Sequence, residues 1–125
     1  MVSIDVKGLC VSRGGTQILK DLSFSVARGS FTELSGPSGC GKSTVLLAVQ
    51  GLIGEHEDAQ ATGEITVNGN LVTLQKRDDS LISHSGYLMQ NVDAQIVNLR
   101  SEDELVFGME NRGFARDEMQ QRSRE

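Results

Sequence analysis

A glycine-rich stretch at residues 36–44, GPSGCGKST, has the composition of a phosphate-binding loop. Gly36, Gly41, Lys42 and Ser43 satisfy the pattern G-x-x-x-x-G-K-[ST], which a chain this long matches by chance well under about one time in a hundred. The glycines let successive backbone N–H groups point inward at the positive end of a helix, where an anion is stabilised. We therefore predict that Lys42 reaches the β- and γ-phosphates of a nucleoside triphosphate and that the Ser43 hydroxyl binds Mg²⁺.

The neighbouring segments favour this interpretation over a glycine-rich turn that merely opens a core helix. FTELS at residues 31–35 predicts a short strand before the loop. KSTVLLAVQGL at residues 42–52 predicts a helix that is apolar on every side, is therefore buried, and ends at Gly51 or Gly54. The predicted nucleotide-binding set is completed by Pro37, Ser38, Gly39, Cys40 and Thr44.

The cysteines and histidines offer no competing chemistry. Cys10 and Cys40 are too few for a disulfide framework and have no Cys or His at metal-ligand spacing. Cys10 is predicted to be a small core residue, and Cys40 lies in the loop without a partner base. His56 and His84 are each isolated in polar segments and are predicted to be structural.

Length and charge restrict the class of protein. The 125 residues allow one domain at most, and 12 basic against 17 acidic residues give a net charge of -5, which argues against nucleic acid as the main partner. The pair Lys76-Arg77 is followed by Asp78-Asp79 and predicts a solvated turn. The first residues lack the pattern of a secretory signal and no apolar run approaches a membrane span, so a cytosolic chain is the default expectation.

The first third of the chain alternates as an antiparallel sheet does. Strands are predicted at residues 3–11 and 18–26, joined by the turn SRGGTQ. Their inward-facing side chains are predicted to be Ile4, Val6, Leu9, Leu22, Phe24 and Val26.

Beyond the first helix, GEHEDAQATG at residues 54–63 predicts a polar loop. EITVNGNLVTL at residues 64–74 predicts a hairpin that turns at Asn68-Gly69, and SGYLMQ at residues 85–90 predicts a short buried strand.

The last quarter of the chain predicts helices. Ser101 is expected to be an N-cap, with Glu104 at the capping-box spacing. The charged segment at residues 115–125 is predicted to be helical as well.

Two longer segments resemble the ATP-binding subunit of ABC transporters. LKDLSFSVARGSFTELSGPSGCGKSTVLLAVQGL at residues 19–52 is similar to that family's first hairpin and phosphate-binding loop, and GYLMQNVDAQIVNLRSEDELVFGMENRG at residues 86–113 resembles its Q-loop region. The likeness covers nearly all 125 residues and is greatest to the ATPases of energy-coupling-factor importers for vitamins and metal ions and to tandem ATPases similar to them. It implies an α/β P-loop NTPase fold of the ABC type, with an antiparallel β subdomain, a RecA-like core, and a helical subdomain that starts at about residue 101.

Further site residues follow from this resemblance. Gln90 is identified as the Q-loop glutamine, whose amide oxygen would contact Mg²⁺ or the attacking water, although a glutamine that caps a strand end is the alternative. Asp93 and Gln95 would face a membrane partner or belong to a polar loop. Arg13 stands where the family has an aromatic residue stacked on adenine. A guanidinium plane can also stack on a base, and otherwise Arg13 is a turn residue beside Gly14.

The family's hydrolytic parts are missing from these 125 residues. No apolar strand ends in Asp-Glu, and in DELVF the acid Asp103 precedes the apolar residues. VSRGGTQ, which starts at Val11, precedes the loop and is rejected as a signature motif, and His84 precedes Gln90 and is rejected as the switch histidine. We expect residues 1–125 to be the N-terminal part of a truncated nucleotide-binding domain, without a catalytic residue of its own and with exposed sheet edges.

The resemblance implies the ATP-binding subunit of an importer, with ATP and Mg²⁺ as cofactors. Such a subunit would pair with a second ATP-binding subunit and contact a transmembrane coupling subunit through the region around Gln90, on the cytoplasmic face of the cell membrane. We predict nucleotide binding with negligible hydrolysis by this chain alone. A non-transport ATP-binding module or sensor is the alternative, and a small P-loop phosphotransferase is disfavoured because no acceptor lid or acidic base can be placed.

Overall fold

Residues 1–81 and 84–125 are described by a computed structural model, in which they form two units, Met1–Tyr87 and Leu88–Glu125. The first unit contains the strands β1 (Val2–Arg13), β2 (Thr16–Ala27), β3 (Ala59–Val67) and β4 (Asn70–Leu71) and the helix α1 (Lys42–Val49). The second unit contains the helices α2 (Ser101–Asn111) and α3 (Arg116–Arg122). Short 3₁₀ turns occupy Ile53–Glu55, Asp79–Leu81 and Asp93–Gln95.

The four strands form one antiparallel sheet in the order β2-β1-β3-β4. The predicted turn between β1 and β2 is confirmed, and its two central residues, Gly14 and Gly15, both have positive φ angles as a tight hairpin requires. Val6 and Leu9 are both buried although they are three residues apart, because Gly8, at φ +57°, interrupts the register between them. The bulge keeps the apolar side chains of β1 on one face.

Helix α1 packs on that face and forms the core with the sheet. The buried residues come from β1, β2, α1, β3 and the segments that follow α1 and β4: Val6, Leu9, Val11, Leu19, Val45, Ala48, Val49, Ile53, Ala61, Ile65, Val67, Val72, Leu74 and Leu81. The predicted inward-facing residues Ile4, Leu22 and Phe24 are partly buried against this core, as the period-two pattern indicates. Cys10, expected in the core, is only partly buried and accepts a hydrogen bond from the Asp21 N–H at 3.2 Å.

The prediction that α1 is buried on every side is wrong. Leu46 is 46% exposed, because one face of the helix has no layer over it among the described residues. The predicted end of the helix is confirmed. The Gly51 N–H donates to Ala48 O and the Leu52 N–H to Leu47 O, and Gly51, at φ +70°, occupies the left-handed position of a Schellman motif.

Two predicted strands are not formed. Residues 31–35 and 85–90 contain no strand, and Phe31 is 97% and Leu88 72% exposed. An apolar strand is held in place by hydrogen bonds to a neighbouring strand, and within the described residues every strand pair belongs to the antiparallel sheet. The two segments have no ladder partner there, so their apolar residues remain at the surface.

The second hairpin is confirmed, but β3 begins earlier than predicted. Asn68 and Gly69 have φ angles of +49° and +82° and connect β3 to β4. Residues 59–62, predicted to be part of a polar loop, instead pair with β1. Ala61 is buried and its polar neighbours Gln60 and Thr62 lie on the other face, which is strand alternation with short side chains.

The second unit confirms both helices but not the predicted cap. Ser101 is the first residue of α2, and Arg100 occupies the N-cap position without a side-chain hydrogen bond to the helix. Glu104 accepts hydrogen bonds from the N–H groups of Val97 (3.2 Å) and Asn98 (2.9 Å), which lowers the pKa of its carboxyl group. In the described ranges, no helix combines the length and the apolar character that crossing a bilayer requires.

Hydrogen bonds to Asp78 stabilise the segment that follows β4. Its carboxylate accepts hydrogen bonds from the Thr73 N–H at 2.8 Å and from the N–H and hydroxyl of Ser80. The Asp78 N–H donates to Gly51 O at 2.9 Å and so connects this turn to the end of α1. The Ser80 hydroxyl and the Thr73 N–H lower the pKa of Asp78.

We expect the stability of the chain to decrease in acid partly because Asp78 becomes protonated. Its pKa is lower in the folded than in the unfolded chain, so its stabilisation is complete above the ordinary pKa of about 3.9 and is lost as the pH falls through the folded value. Asp78→Asn should lower the free energy of unfolding at neutral pH by about 1 kcal/mol and flatten its acid dependence. Urea titrations between about pH 6 and 2 would measure this. A Glu57→Gln control that flattened the curve equally would contradict the assignment.

Candidate phosphate-binding site

The Lys42 side chain lies across the glycine-rich loop and bonds to its backbone. Its Nζ donates to the carbonyl oxygens of Gly36 at 2.7 Å and Pro37 at 2.8 Å, and it lies 3.7 Å from Cys40 Sγ. The ammonium group therefore lies over the loop backbone, while residues 36–40 are exposed to solvent. The loop presents a positive charge at its centre together with an open side.

Three glycines of the loop are used for their lack of a side chain. Gly39 and Gly41 have φ angles of +80° and +102°, a region that other residues rarely adopt. A Cβ atom on Gly36 would lie 2.7 Å from Cys40 Sγ. The backbone path therefore favours glycine at positions 39 and 41, while the close contact at Gly36 is with the end of the Cys40 side chain.

The loop leads directly into the N-terminus of α1. Gly41 is the N-cap, no side chain caps the helix there, and its first turn contains no acidic residue. The Val45 N–H donates to Gly41 O at 3.0 Å, so the N–H groups of Lys42, Ser43 and Thr44 have no acceptor within the helix. The positive end of the helix dipole and these free donors favour a bound anion.

The C-terminal end of the loop is held by β2. A Cβ atom on Gly41 would lie 2.8 Å from Leu19 Cδ2 and 3.1 Å from Ile18 Cγ2, so the two side chains pack directly on this glycine. The loop is therefore anchored to the first hairpin, an interaction that the sequence pattern does not reveal.

The residues present fit a magnesium ion bound together with phosphates. Ser43 is exposed in the first turn of α1, beside Lys42, and its hydroxyl oxygen is the donor type that Mg²⁺ prefers. Among the described residues, no group of three His, Cys, Asp or Glu side chains could hold a metal by itself. Magnesium bound through one hydroxyl and the oxygens of a ligand is the arrangement that fits.

Arg13 lies at the end of β1, where the structure gives it two partners. Its Nε–H donates to Asp58 Oδ2 at 2.9 Å, and its Nη2 lies 3.4 Å from His56 Nδ1. The hydrogen bond from Arg13 lowers the pKa of the Asp58 carboxyl group. His56, expected to be isolated, is thus part of a cluster, which only the pairing of β1 with β3 makes visible.

The remaining predicted site residues lie in the second unit. Gln90 is exposed at a bend near the start of that unit, and Asp93 and Gln95 belong to the exposed 3₁₀ turn Asp93–Gln95. Gln95 Oε1 accepts a hydrogen bond from the Met89 N–H at 2.7 Å, which stabilises the segment that contains Gln90. The roles of these three side chains stay predictions.

Gln50 is a structural residue that the sequence analysis did not single out. It is the C-cap of α1, and its Oε1 accepts a hydrogen bond from the Ser85 hydroxyl at 2.9 Å. Its Nε2 donates to Gly86 O at 3.4 Å. The end of α1 is thereby joined to a segment 35 residues further along the chain, a contact that no local pattern indicates.

Comparison with known proteins gives consistent matches. A family model described as ABC transporter matches residues 19–124. An energy-coupling factor transporter ATP-binding protein of Streptococcus pneumoniae is 35% identical over 125 residues, which cover 98% of this chain and 43% of that protein. A Bacillus subtilis protein provisionally named as an HMP/thiamine import ATP-binding protein is 35% identical over 102 residues, 82% of this chain and 19% of the relative.

An archaeal relative gives the same result. A Pyrococcus abyssi protein provisionally named as an ABC transporter ATP-binding protein is 34% identical over 123 residues, which cover 97% of this chain and 44% of that protein. The chain spans less than half the length of each of these three relatives.

Proposed function

Since this chain belongs to the ABC transporter family, we propose that residues 36–44 bind the phosphates of ATP and that the chain is the nucleotide-binding part of an importer's motor subunit. The observation that carries the proposal is the position of Lys42 Nζ, held over the loop by the carbonyl oxygens of Gly36 and Pro37. A cation placed there, beside the free N–H groups at the start of α1, fits a polyphosphate better than any other ligand class.

Binding is an exchange of partners at Lys42. The ammonium group releases one or both carbonyl oxygens and donates to phosphate oxygens instead, while the loop amides and the first N–H groups of α1 donate to the same anion. The Ser43 hydroxyl would hold Mg²⁺, which supplies charge neutralisation at the phosphates when it is bound. The family resemblance assigns Gln90 a role as a magnesium ligand as well, which stays a prediction. The described residues thus position and neutralise the nucleotide.

The proposed partner is a transmembrane subunit that contacts the start of the second unit. The segment around Gln90 exposes a run of apolar side chains, which is unusual for a surface without a partner. These residues are Val92, Ile96, Val97 and Leu99. Their exposure supports a docking role for the segment that contains Asp93 and Gln95. By the family resemblance, docking would take place on the cytoplasmic face of the cell membrane, beside a second ATP-binding subunit.

The named relatives favour an importer of the energy-coupling-factor type. One of them is named for an energy-coupling factor transporter and another for HMP/thiamine import, which supports uptake of a vitamin-like cargo. Co-expression with a candidate transmembrane coupling subunit tests this part of the proposal. Retention of the chain on that subunit in detergent would support transport, and a stably folded chain that is never retained would favour the ATP-binding sensor.

We expect the 125-residue chain to bind Mg-ATP with a single saturable site and to release no phosphate above the buffer level. The loop supplies the phosphate contacts, but no apolar strand in this sequence ends in Asp-Glu, and the loss of a general base alone reduces a rate by about 10²–10⁴. Calorimetry measures binding and a malachite-green assay measures phosphate. Sustained phosphate release that survives a Lys42 substitution would show that a different site is at work.

A further inference from the structure

Helix α1 has the phosphate-binding loop at one end and a side-chain contact with a distant segment at the other. Gln50, its C-cap, accepts a hydrogen bond at Oε1 from the Ser85 hydroxyl (2.9 Å) and donates from Nε2 to Gly86 O (3.4 Å). We infer that Gln50 is a positioning residue through which a ligand bound at the loop orders residues 84–87. This inference rests on the proposed function of residues 36–44.

The N-terminal end of α1 is the end that a bound anion would stabilise. No side chain caps it, its first turn contains no acidic residue, and its first N–H groups have no acceptor within the helix. The helix is only eight residues long, whereas isolated helices shorter than about 12–15 residues are marginal in water. Because helix formation is cooperative, an anion that satisfies the first donors stabilises the last turn as well.

The last turn of α1 fixes the backbone from which the Gln50 side chain extends. The Gln50 N–H donates to Leu46 O at 3.0 Å, and the Gly51 N–H donates to Ala48 O at 3.1 Å. Gln50 and Ser85 are both partly buried, which shields the hydrogen bond between their side chains from competing water. A better ordered last turn therefore strengthens the contact with Ser85.

The Ser85 hydroxyl has two acceptors within reach. Its oxygen lies 2.9 Å from Gln50 Oε1 and 3.1 Å from Leu81 O, and a hydroxyl group has one proton to donate. Donation to Gln50 joins the segment to α1, whereas donation to Leu81 O only reinforces a turn that the Ser85 N–H already closes at 3.0 Å. The hydroxyl is thus a two-state element, and an ordered Gln50 favours the first state.

This coupling acts in both directions, since a ligand that strengthens a contact must bind more weakly when that contact is removed. One hydrogen bond contributes modestly, and only part of its contribution depends on the ligand. Gln50→Ala and Ser85→Ala should therefore each weaken Mg-ATP binding about threefold in a calorimetric titration. The double variant should be no weaker than either single variant, because both changes remove the same contact.

Amide hydrogen exchange on the 125-residue chain, with and without saturating Mg-ATP, tests the inference directly. In the wild type, Mg-ATP should slow the exchange of residues 84–87 about threefold, and Gln50→Ala and Ser85→Ala should abolish this slowing while still binding Mg-ATP. A purely structural role of Gln50 would speed exchange equally with and without nucleotide. Gln75→Ala, which shortens an exposed glutamine elsewhere in the first unit, should behave as the wild type.

Two results would overturn the inference. One is a wild-type chain that binds Mg-ATP without any change in exchange at residues 84–87, and the other is a slowing that persists undiminished in Gln50→Ala. If Gln50→Ala does not fold, Ser85→Ala decides alone, since it removes a single oxygen atom. A wild-type chain that does not bind Mg-ATP would instead overturn the proposed function and, with it, this inference.

Discussion

Lys42→Met should weaken the binding of Mg-ATP about a hundredfold. The ammonium group makes two hydrogen bonds, at 2.7 and 2.8 Å, to the carbonyl oxygens of Gly36 and Pro37, and we expect it to transfer at least two such bonds to phosphate oxygens. Hydrogen bonds to charged groups contribute about 1.5–3 kcal/mol each, and part of that is already present in the free loop, so a net loss of about 3 kcal/mol is expected. Calorimetric titration gives the ratio directly.

The matched control is Lys20→Met, which removes the same charge from an exposed position on β2. It should alter the affinity by less than about threefold, because screened charges outside the site act weakly. If Lys42→Met and Lys20→Met gave the same small change, Lys42 would not bind the phosphates, and the loop would need another explanation.

Gly63→Ala should cause the largest loss of stability among single methyl additions in the sheet. Gly63 has a φ of +116°, and a Cβ atom there would lie 2.7 Å from Gly8 O and 2.9 Å from Leu9 Cα. The clashing atoms belong to the backbone of β1, so they cannot rotate away. Backbone strain and overpacking together are expected to lower the free energy of unfolding by about 3 kcal/mol.

Alanine substitutions at two other glycines separate the contribution of backbone strain from that of overpacking. Gly69→Ala introduces a positive-φ alanine with nothing within 4 Å and should cost about 1 kcal/mol from strain alone. Gly86→Ala has open space and an ordinary φ and should be nearly neutral. Urea unfolding followed by circular dichroism gives the three values. Equal losses for Gly63→Ala and Gly69→Ala would show that the contact with Gly8 is not tight in solution.

Local sequence patterns were sufficient to predict the turns and helix ends whose geometry depends on one short segment. The turn at Gly14-Gly15, the hairpin at Asn68-Gly69 and the helix end at Gly51 each depend on a glycine that can adopt a positive φ, and all three predictions are confirmed. The period-two pattern likewise identified Leu22 and Phe24 as inward-facing residues of β2, but Val26 is not among the described residues that pack against the core. These features need no knowledge of distant parts of the chain.

The wrong predictions all concern interactions with a second segment. Residues 31–35 and 85–90 have the composition of strands but no ladder partner within the described residues, and Leu46 has no layer over it there. Ser101 has the composition of a cap, yet Glu104 bonds instead to the N–H groups of Val97 and Asn98. In each case the residue type suggested a structural role, but that role depends on a partner in another segment of the chain.

The candidate site divides in the same way. The motif from Gly36 to Thr44 could be identified in the sequence because its residues form one continuous loop that leads into the start of one helix. The cluster of Arg13, His56 and Asp58 could not be identified in the sequence. Asp58 is 45 residues from Arg13 and comes close to it only because β1 pairs with β3. The family resemblance indicated the position of Arg13 but could not supply its partners.

The position of Lys42 Nζ across the loop also affects the thermodynamics of nucleotide capture. With its carbonyl oxygens already tied to Nζ, the backbone from Gly36 to Pro37 has lost its freedom before any ligand arrives, so that ordering entropy belongs to folding and not to association. The enthalpy of association is then expected to be dominated by the replacement of carbonyl oxygens by phosphate oxygens at Lys42 Nζ.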